Sequence, residues 1–143
     1  MIKEIRHTGI VVIDLAESLF FYRDLLGFEI VKQMEESGNF INSILSLHNV
    51  KVTTIKMSAA SGQLIELLKY HSHPDKKKAH KIYHTGLSHL AFTVDNLQKE
   101  YNRLKNKGVK FKSPPQLSPD GFAKVAFCRA PEGTWIELVE ISS

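Results

Sequence analysis

The chain repeats itself, and that repeat limits what it can fold into more than any other feature. His7-Thr-Gly-Ile-Val-Val-Ile reads as a short strand running into Asp14, and His89-Leu-Ala-Phe-Thr-Val reads as another running into Asp95. Three residues after each aspartate stands Glu17 or Gln98, a capping box that starts a helix. Leu15, Leu19, Tyr22 and Leu26 form the apolar stripe of the first helix, and Leu97, Tyr101 and Leu104 that of the second. Gly27 and Gly108 supply the left-handed stops, each thirteen residues after its aspartate.

Strand-like segments follow each helix: Phe28–Lys32 and Val50–Met57 in the first half, Val109–Lys112 and Phe122–Cys128 in the second. Both halves then close on matching text, Gly62-Gln-Leu-Ile-Glu-Leu and Gly133-Thr-Trp-Ile-Glu-Leu. The first half is longer by ten residues, assigned to roughly Asn39–Asn49 as a short helix or loop, and the polar, basic, histidine-rich stretch from Tyr70 to Gly86 reads as a linker. The organisation expected is one domain over 1–143, with a first module at about 1–70, a linker at about 71–86 and a second module at about 87–143. A strand, a helix and three strands can bury only one sheet face, so two such modules must pack together. The expected class is α+β: paired βαβββ modules forming a curved mixed sheet, a half-open barrel, around a cavity.

Composition narrows the function classes. A hydrophobic content of 43% excludes disorder, and no apolar run approaches the ~20 residues of a membrane-spanning helix. The N-terminus lacks a signal-peptide core. One cysteine, Cys128, forms no intrachain disulfide, so a reducing compartment, the cytoplasm, is expected. The surplus of four basic residues comes partly from the run at 76–78, which favours an anionic small ligand over nucleic acid.

The repeat also places chemistry. His7 and His89 sit at equivalent points on the opening strands, Glu66 and Glu137 at equivalent points on the closing ones. Two imidazoles and two carboxylates at one centre suit a divalent first-row metal. Glutamate is rarely buried in a strand between Ile and Leu without a partner, so four such residues at symmetry-related positions outweigh the reading of each as isolated packing. Residues two apart share a strand face, which puts Gly9 and Val11 with His7, Ala91 and Thr93 with His89, and Trp135 with Glu137 as candidates for the substrate cavity. Small Gly9 and Ala91 are expected to leave room beside the histidines. His71, His73, His80 and His84 are assigned to a solvated linker, Ser118-Pro-Asp-Gly121 to a turn, and Cys128 to an inert buried position.

In HTGIVVIDLAESLFFYRDLLGFEIV, GQLIELLKY, GLSHLAFTVDNL and APEGTWIELVEI the chain resembles the vicinal oxygen chelate superfamily over nearly its whole length. That superfamily includes glyoxalase I, methylmalonyl-CoA epimerase, extradiol dioxygenases, fosfomycin-resistance enzymes and bleomycin-resistance proteins. The resemblance implies one divalent metal per site, zinc, nickel, cobalt or manganese before iron, held by His7, Glu66, His89 and Glu137. It implies a lyase or isomerase of the glyoxalase I or epimerase type, with an extradiol-type dioxygenase or a bleomycin-resistance-like binding protein as alternatives. It further implies that Glu137 is both ligand and proton-transfer base while Glu66 is chiefly a ligand. Val11 and Tyr70 stand where glyoxalase I has an arginine and an asparagine that hold glutathione, so a glutathione adduct is expected to be a poor substrate. Partners expected are a small, anionic or thioester-linked substrate and a second copy of the chain, with no nucleic acid and no membrane.

Overall fold

A computed structural model describes residues 1–76 and 80–142. The chain divides into two compact units, Met1–Lys77 and Lys78–Ser143. The first contains β1 (Thr8–Val11), α1 (Leu15–Leu19), β2 (Glu29–Ser37), α2 (Asn39–Leu45), β3 (Lys51–Ser58) and β4 (Leu64–Tyr70). The second contains β5 (His89–Thr93), α3 (Leu97–Asn106), β6 (Gln116–Leu117), β7 (Ala123–Arg129) and β8 (Trp135–Ile141). Each unit carries a four-stranded mixed sheet, ordered β1-β4-β3-β2 in one and β5-β8-β7-β6 in the other. The opening strand of each lies parallel to the closing strand, and the remaining pairs are antiparallel. A parallel pair cannot be joined by a tight turn, which explains the helix after β1 and β5.

In the first unit Asp14 caps α1, its Oδ1 accepting the Glu17 amide at 3.0 Å. The coil then widens over Phe20–Leu25, and the Leu26 amide donates to the Phe21 carbonyl five residues back. That wider turn rotates the apolar face. Ser18, Phe21, Tyr22 and Leu25 are the buried residues, and of the stripe expected from spacing only Tyr22 is fully buried. Gly27 stops the helix at φ +84°, a conformation glycine adopts without strain.

The second helix starts one residue later than the spacing predicts. Asn96, not Asp95, is the cap, with Oδ1 accepting the Lys99 amide at 2.9 Å. The cause lies in the sheet: the Val94 amide still donates to Val139, which keeps the chain extended, and Glu140 of β8 accepts the Leu97 amide at 2.7 Å. That hydrogen bond holds the Glu140 carboxyl below its ordinary pKa. Leu97, Tyr101 and Leu104 are buried as the periodicity predicts.

Two strand boundaries also differ from expectation. β2 continues past Lys32 to Ser37, and α2 takes up the insertion. Instead of a strand over Val109–Lys112, only Phe111 bridges to Cys128, and the regular edge strand is Gln116–Leu117. Pro114 and Pro115 intervene, and proline has no amide to give a ladder. Residues 110–112 nonetheless flank β7 through Lys112 N to Phe127 O, 2.9 Å, and Arg129 N to Lys110 O, 3.2 Å.

Alternation sorts the sheet faces. In the first unit Ile55, Met57, Ile65 and Leu67 are buried on one face, while Lys56 pairs with Glu66 on the other. In the second, Ala126, Cys128, Ile136 and Leu138 are buried on one face, and Phe127, Arg129, Trp135 and Glu137 lie on the other. Among the described residues no helix is long and apolar enough to cross a membrane.

The displaced cap is open to direct measurement. Asn96→Ala is expected to lower stability in urea by ~1 kcal/mol through loss of the Lys99 hydrogen bond. Asp95→Ala is expected to stay within ~0.5 kcal/mol of the parent, since the exposed Asp95 side chain caps nothing.

Candidate metal centre

The parallel pairing of opening and closing strands brings a histidine to a glutamate in each unit. Gly9 registers with Glu66, so His7, two residues back on the same face, places Nε2 3.7 Å from Glu66 Oε1. His89 registers with Trp135 and Ala91 with Glu137, and His89 Nε2 lies 3.0 Å from Glu137 Oε2. Two donors bound cis at ~2.1 Å to one octahedral ion stand ~3.0 Å apart, so the His89–Glu137 pair has the separation that such an ion needs.

The surroundings of the two histidines differ. The Ser88 hydroxyl lies 2.9 Å from His89 Nδ1 and donates to the Ile82 carbonyl at 3.0 Å. Since a carbonyl only accepts, the Ser88 hydrogen belongs to Ile82 and Nδ1 of His89 donates to Ser88. Nε2 is therefore the nitrogen turned toward Glu137, and a cation there suits both lone pairs. Nδ1 of His7, by contrast, is buried with no hydrogen-bond partner among the described residues. That nitrogen is not the one beside the carboxylate; Nε2 of His7 faces Glu66. The His89–Glu137 pair thus has the donor types and the separation that fit a divalent ion.

The glutamates are also unlike. Lys56 Nζ stands 3.9 Å from Glu66 Oε2, whereas the register partner of Glu137 is Phe127, whose ring packs edge-on against His89 at 5.0 Å. Lys56, Ser88 and Phe127 were not singled out from sequence. Lys56 and Phe127 were detectable as face-sharing residues of β3 and β7, while Ser88 needed the fold around Ile82.

Of the expected cavity residues, Val11 is 55% exposed, and His89, Ala91 and Thr93 are the exposed positions of β5. Gly9 leaves no open space: a Cβ there would stand 3.3 Å from Leu68 Cδ1, so the glycine admits Leu68. Trp135 is 9% exposed and donates its indole N–H to the His80 carbonyl at 2.8 Å. The structure brings together His7 with Glu66 and His89 with Glu137. Among the described residues no group of three or more histidine, cysteine, aspartate or glutamate side chains gathers at one point. Of the linker histidines, His80 and His84 pack edge to face at 5.2 Å, and His71 Nε2 lies 2.7 Å from Thr53 Oγ1. Residues 118–121 form a plain turn closed by the Gly121 amide on Ser118 O.

The family model described as Glyoxalase/Bleomycin resistance protein/Dioxygenase superfamily matches residues 4–138. A lactoylglutathione lyase of Schizosaccharomyces pombe is 31% identical over 97% of this chain and 48% of its own length. Glyoxalase I of Saccharomyces cerevisiae is 28% identical over 96% of this chain and 45% of its own. The chain therefore spans about half the length of these curated relatives. A crystal structure of a glyoxalase family protein from Bacillus cereus superposes with a TM-score of 0.90 at 19% identity, covering 100% of this chain and 97% of that one.

Cys128 lies outside the candidate site, on the buried face of β7. Burial pushes its thiol up to about 12. Only the thiolate reacts with disulfide reagents, so at pH 8 the folded protein is expected to resist a chromogenic disulfide that modifies Cys128 readily in urea. Equal rates in both conditions would contradict this placement.

Proposed function

Because the chain belongs to the Glyoxalase/Bleomycin resistance protein/Dioxygenase superfamily, we propose that it is a divalent-metal-dependent lyase or isomerase of the glyoxalase I or epimerase type. Its reaction is proton transfer at a carbon beside a substrate oxygen. The observation that carries this reading is the recurrence of one histidine–glutamate pair at matched strand positions in each unit, 3.7 Å apart in one and 3.0 Å in the other. His7, Glu66, His89 and Glu137 are the residues that would hold the ion. A bound divalent cation supplies the positive charge that stabilises an oxyanion developing on the substrate.

The protein's own groups divide the remaining work. Glu66 has Lys56 as a standing partner and acts chiefly as a ligand. Glu137, beside the Phe127 ring, has no such partner among the described residues and is the carboxylate that takes a proton from the substrate carbon and returns it. Ser88 positions His89. A glutathione adduct is a poor substrate on this reading: Val11 offers no hydrogen bond, and Tyr70 packs against the cluster of Ile41, Val50 and Val52. A small oxygenated or thioester-linked molecule fits better.

Each four-stranded sheet has open edges and one sheet face to cover, so the working form is read as a homodimer. The exposed apolar residues Ile30, Val31, Met34, Phe40 and Ile44 of the first unit support association. Light scattering and metal analysis of one preparation made without chelator are expected to give the mass of two chains and about one zinc, nickel, cobalt or manganese per chain. His89→Ala is expected to strip the metal, and Ser88→Ala to weaken it ~10-fold or more. A monomer at all concentrations refutes the dimer; stoichiometric iron with oxygen consumption replaces this reading with the dioxygenase.

Glutamine separates the two carboxylates, since it keeps size and one oxygen donor but is not a base. In metal-loaded enzyme Glu137→Gln is expected to lower turnover by ~10²–10⁴-fold and Glu66→Gln much less. The opposite order would reverse the assignment.

A further inference from the structure

At the Trp135 end of the face that carries His89 and Glu137, two cations share one aromatic ring. Lys112 Nζ stands 4.4 Å from the Trp135 ring centroid and the Arg129 guanidinium carbon 4.7 Å from it. Trp135 is held from behind by its hydrogen bond to His80 O, and Arg129 by Nε donating to Gly133 O at 3.3 Å. Among the described residues neither cation has a carboxylate partner. The ring attracts each charge, yet leaves their mutual repulsion and most of their hydrogen-bonding capacity unmet.

The register fixes where this pair stands relative to the chemistry. Arg129 and His89 both pair with Trp135, and Phe127 pairs with Glu137 one step along the strand. Trp135 and Glu137 are two residues apart on one face, ~7 Å. Lys112 also lines an open cleft of about 580 Å³ together with Lys105, Lys110, Tyr101 and Phe111. Among the described residues Lys105 and Lys110 have no acidic partner, so the cleft is positive.

We infer that Lys112 and Arg129, braced on Trp135, form the oxyanion subsite of the substrate pocket, which makes the substrate a small molecule bearing a carboxylate or phosphate in addition to its reacting carbon. This inference rests on the proposed function for its account of the reacting carbon, and on the geometry alone for the anion. Arginine and lysine together bind an oxyanion by charge-assisted hydrogen bonds, and the stacked ring holds both heads in place before the ligand arrives.

Trp135 is the one tryptophan of the chain, so its fluorescence reports on this subsite directly. The experiment titrates the full-length protein with inorganic phosphate and, separately, malonate, at constant ionic strength and with a chelator present to exclude metal. A saturable change in Trp135 emission is expected with at least one of the two anions, and the stronger response identifies phosphate or carboxylate as the group recognised. The double variant Arg129→Gln, Lys112→Gln, with circular dichroism unchanged, is expected to weaken that binding at least tenfold, whereas Lys107→Gln keeps it. Phosphate binding followed by ³¹P line broadening gives a second reading that does not depend on the altered ring environment of the variant. His89→Ala, which removes metal under the proposed function, is expected to keep the anion response; that result upholds the subsite even if metal analysis overturns the catalytic reading. No saturable response to either anion in the parent, or an undiminished response in the double variant, overturns the inference.

Discussion

The parallel pairing of each unit's first strand with its last is the constraint on which the rest depends. Strands adjacent in a sheet but opposite in sequence order must be joined by a crossover, which accounts for α1 after β1 and α3 after β5. The same pairing fixes chemistry, because the register that sets Gly9 against Glu66 and Ala91 against Glu137 brings each histidine onto the face of its glutamate. A slip of one residue would turn both glutamates into the apolar layer. Burying an unpartnered carboxylate between Ile65 and Leu67, or between Ile136 and Leu138, costs several kcal/mol, so the register that folds and the register that builds the pair are the same.

Once the pairs are set, the two halves diverge in what surrounds them. The first unit gives its glutamate an ammonium at 3.9 Å and leaves a histidine nitrogen buried without a partner among the described residues. The second gives its glutamate an aromatic neighbour and its histidine a serine already committed to a carbonyl. Repetition explains why four donors occur at matched places; divergence gives the two glutamates different neighbours. The insertion obeys the same logic. It adds α2 between β2 and β3 and leaves the β1–β4 register intact.

Much of this was legible because it is local or periodic. The Asp14 cap, the Gly27 stop, the buried stripe of α3 and the short helix of the insertion each follow from a few neighbouring residues. The misreadings share a cause, which is a tertiary contact overriding a local one. Val94 bonded to Val139 and Glu140 reaching Leu97 moved a cap from Asp95 to Asn96. A widened turn at Phe21 rotated the stripe of α1, and two prolines displaced an edge strand. Lys56, Lys112 and Arg129 carry no local signal in sequence, since which face a charged residue joins depends on register. Ser88 was invisible because its importance lies in the Ile82 carbonyl six residues away.

Lys112 shows how the failed strand prediction and the site are connected. A regular strand over Val109–Lys112 would have satisfied the backbone of this segment through a full ladder with β7. The chain makes only the Phe111 bridge with its flanking amide bonds, then turns away at the prolines. Phe111 faces the packed layer, edge to face with Tyr101 at 4.7 Å, so alternation sends Lys112 to the other side, over Trp135. The irregular segment is thus anchored by an aromatic on one face and delivers a cation to the other. Arg129 arrives at the same ring from β7, an element held on both edges by sheet pairing. One of the two charges stands on a regular strand and the other on a segment that makes a single bridge, whereas His89 and Glu137 both sit on regular strands. The histidine–glutamate pair thus lies wholly in the ladder, and the proposed anion subsite spans the point where the ladder ends.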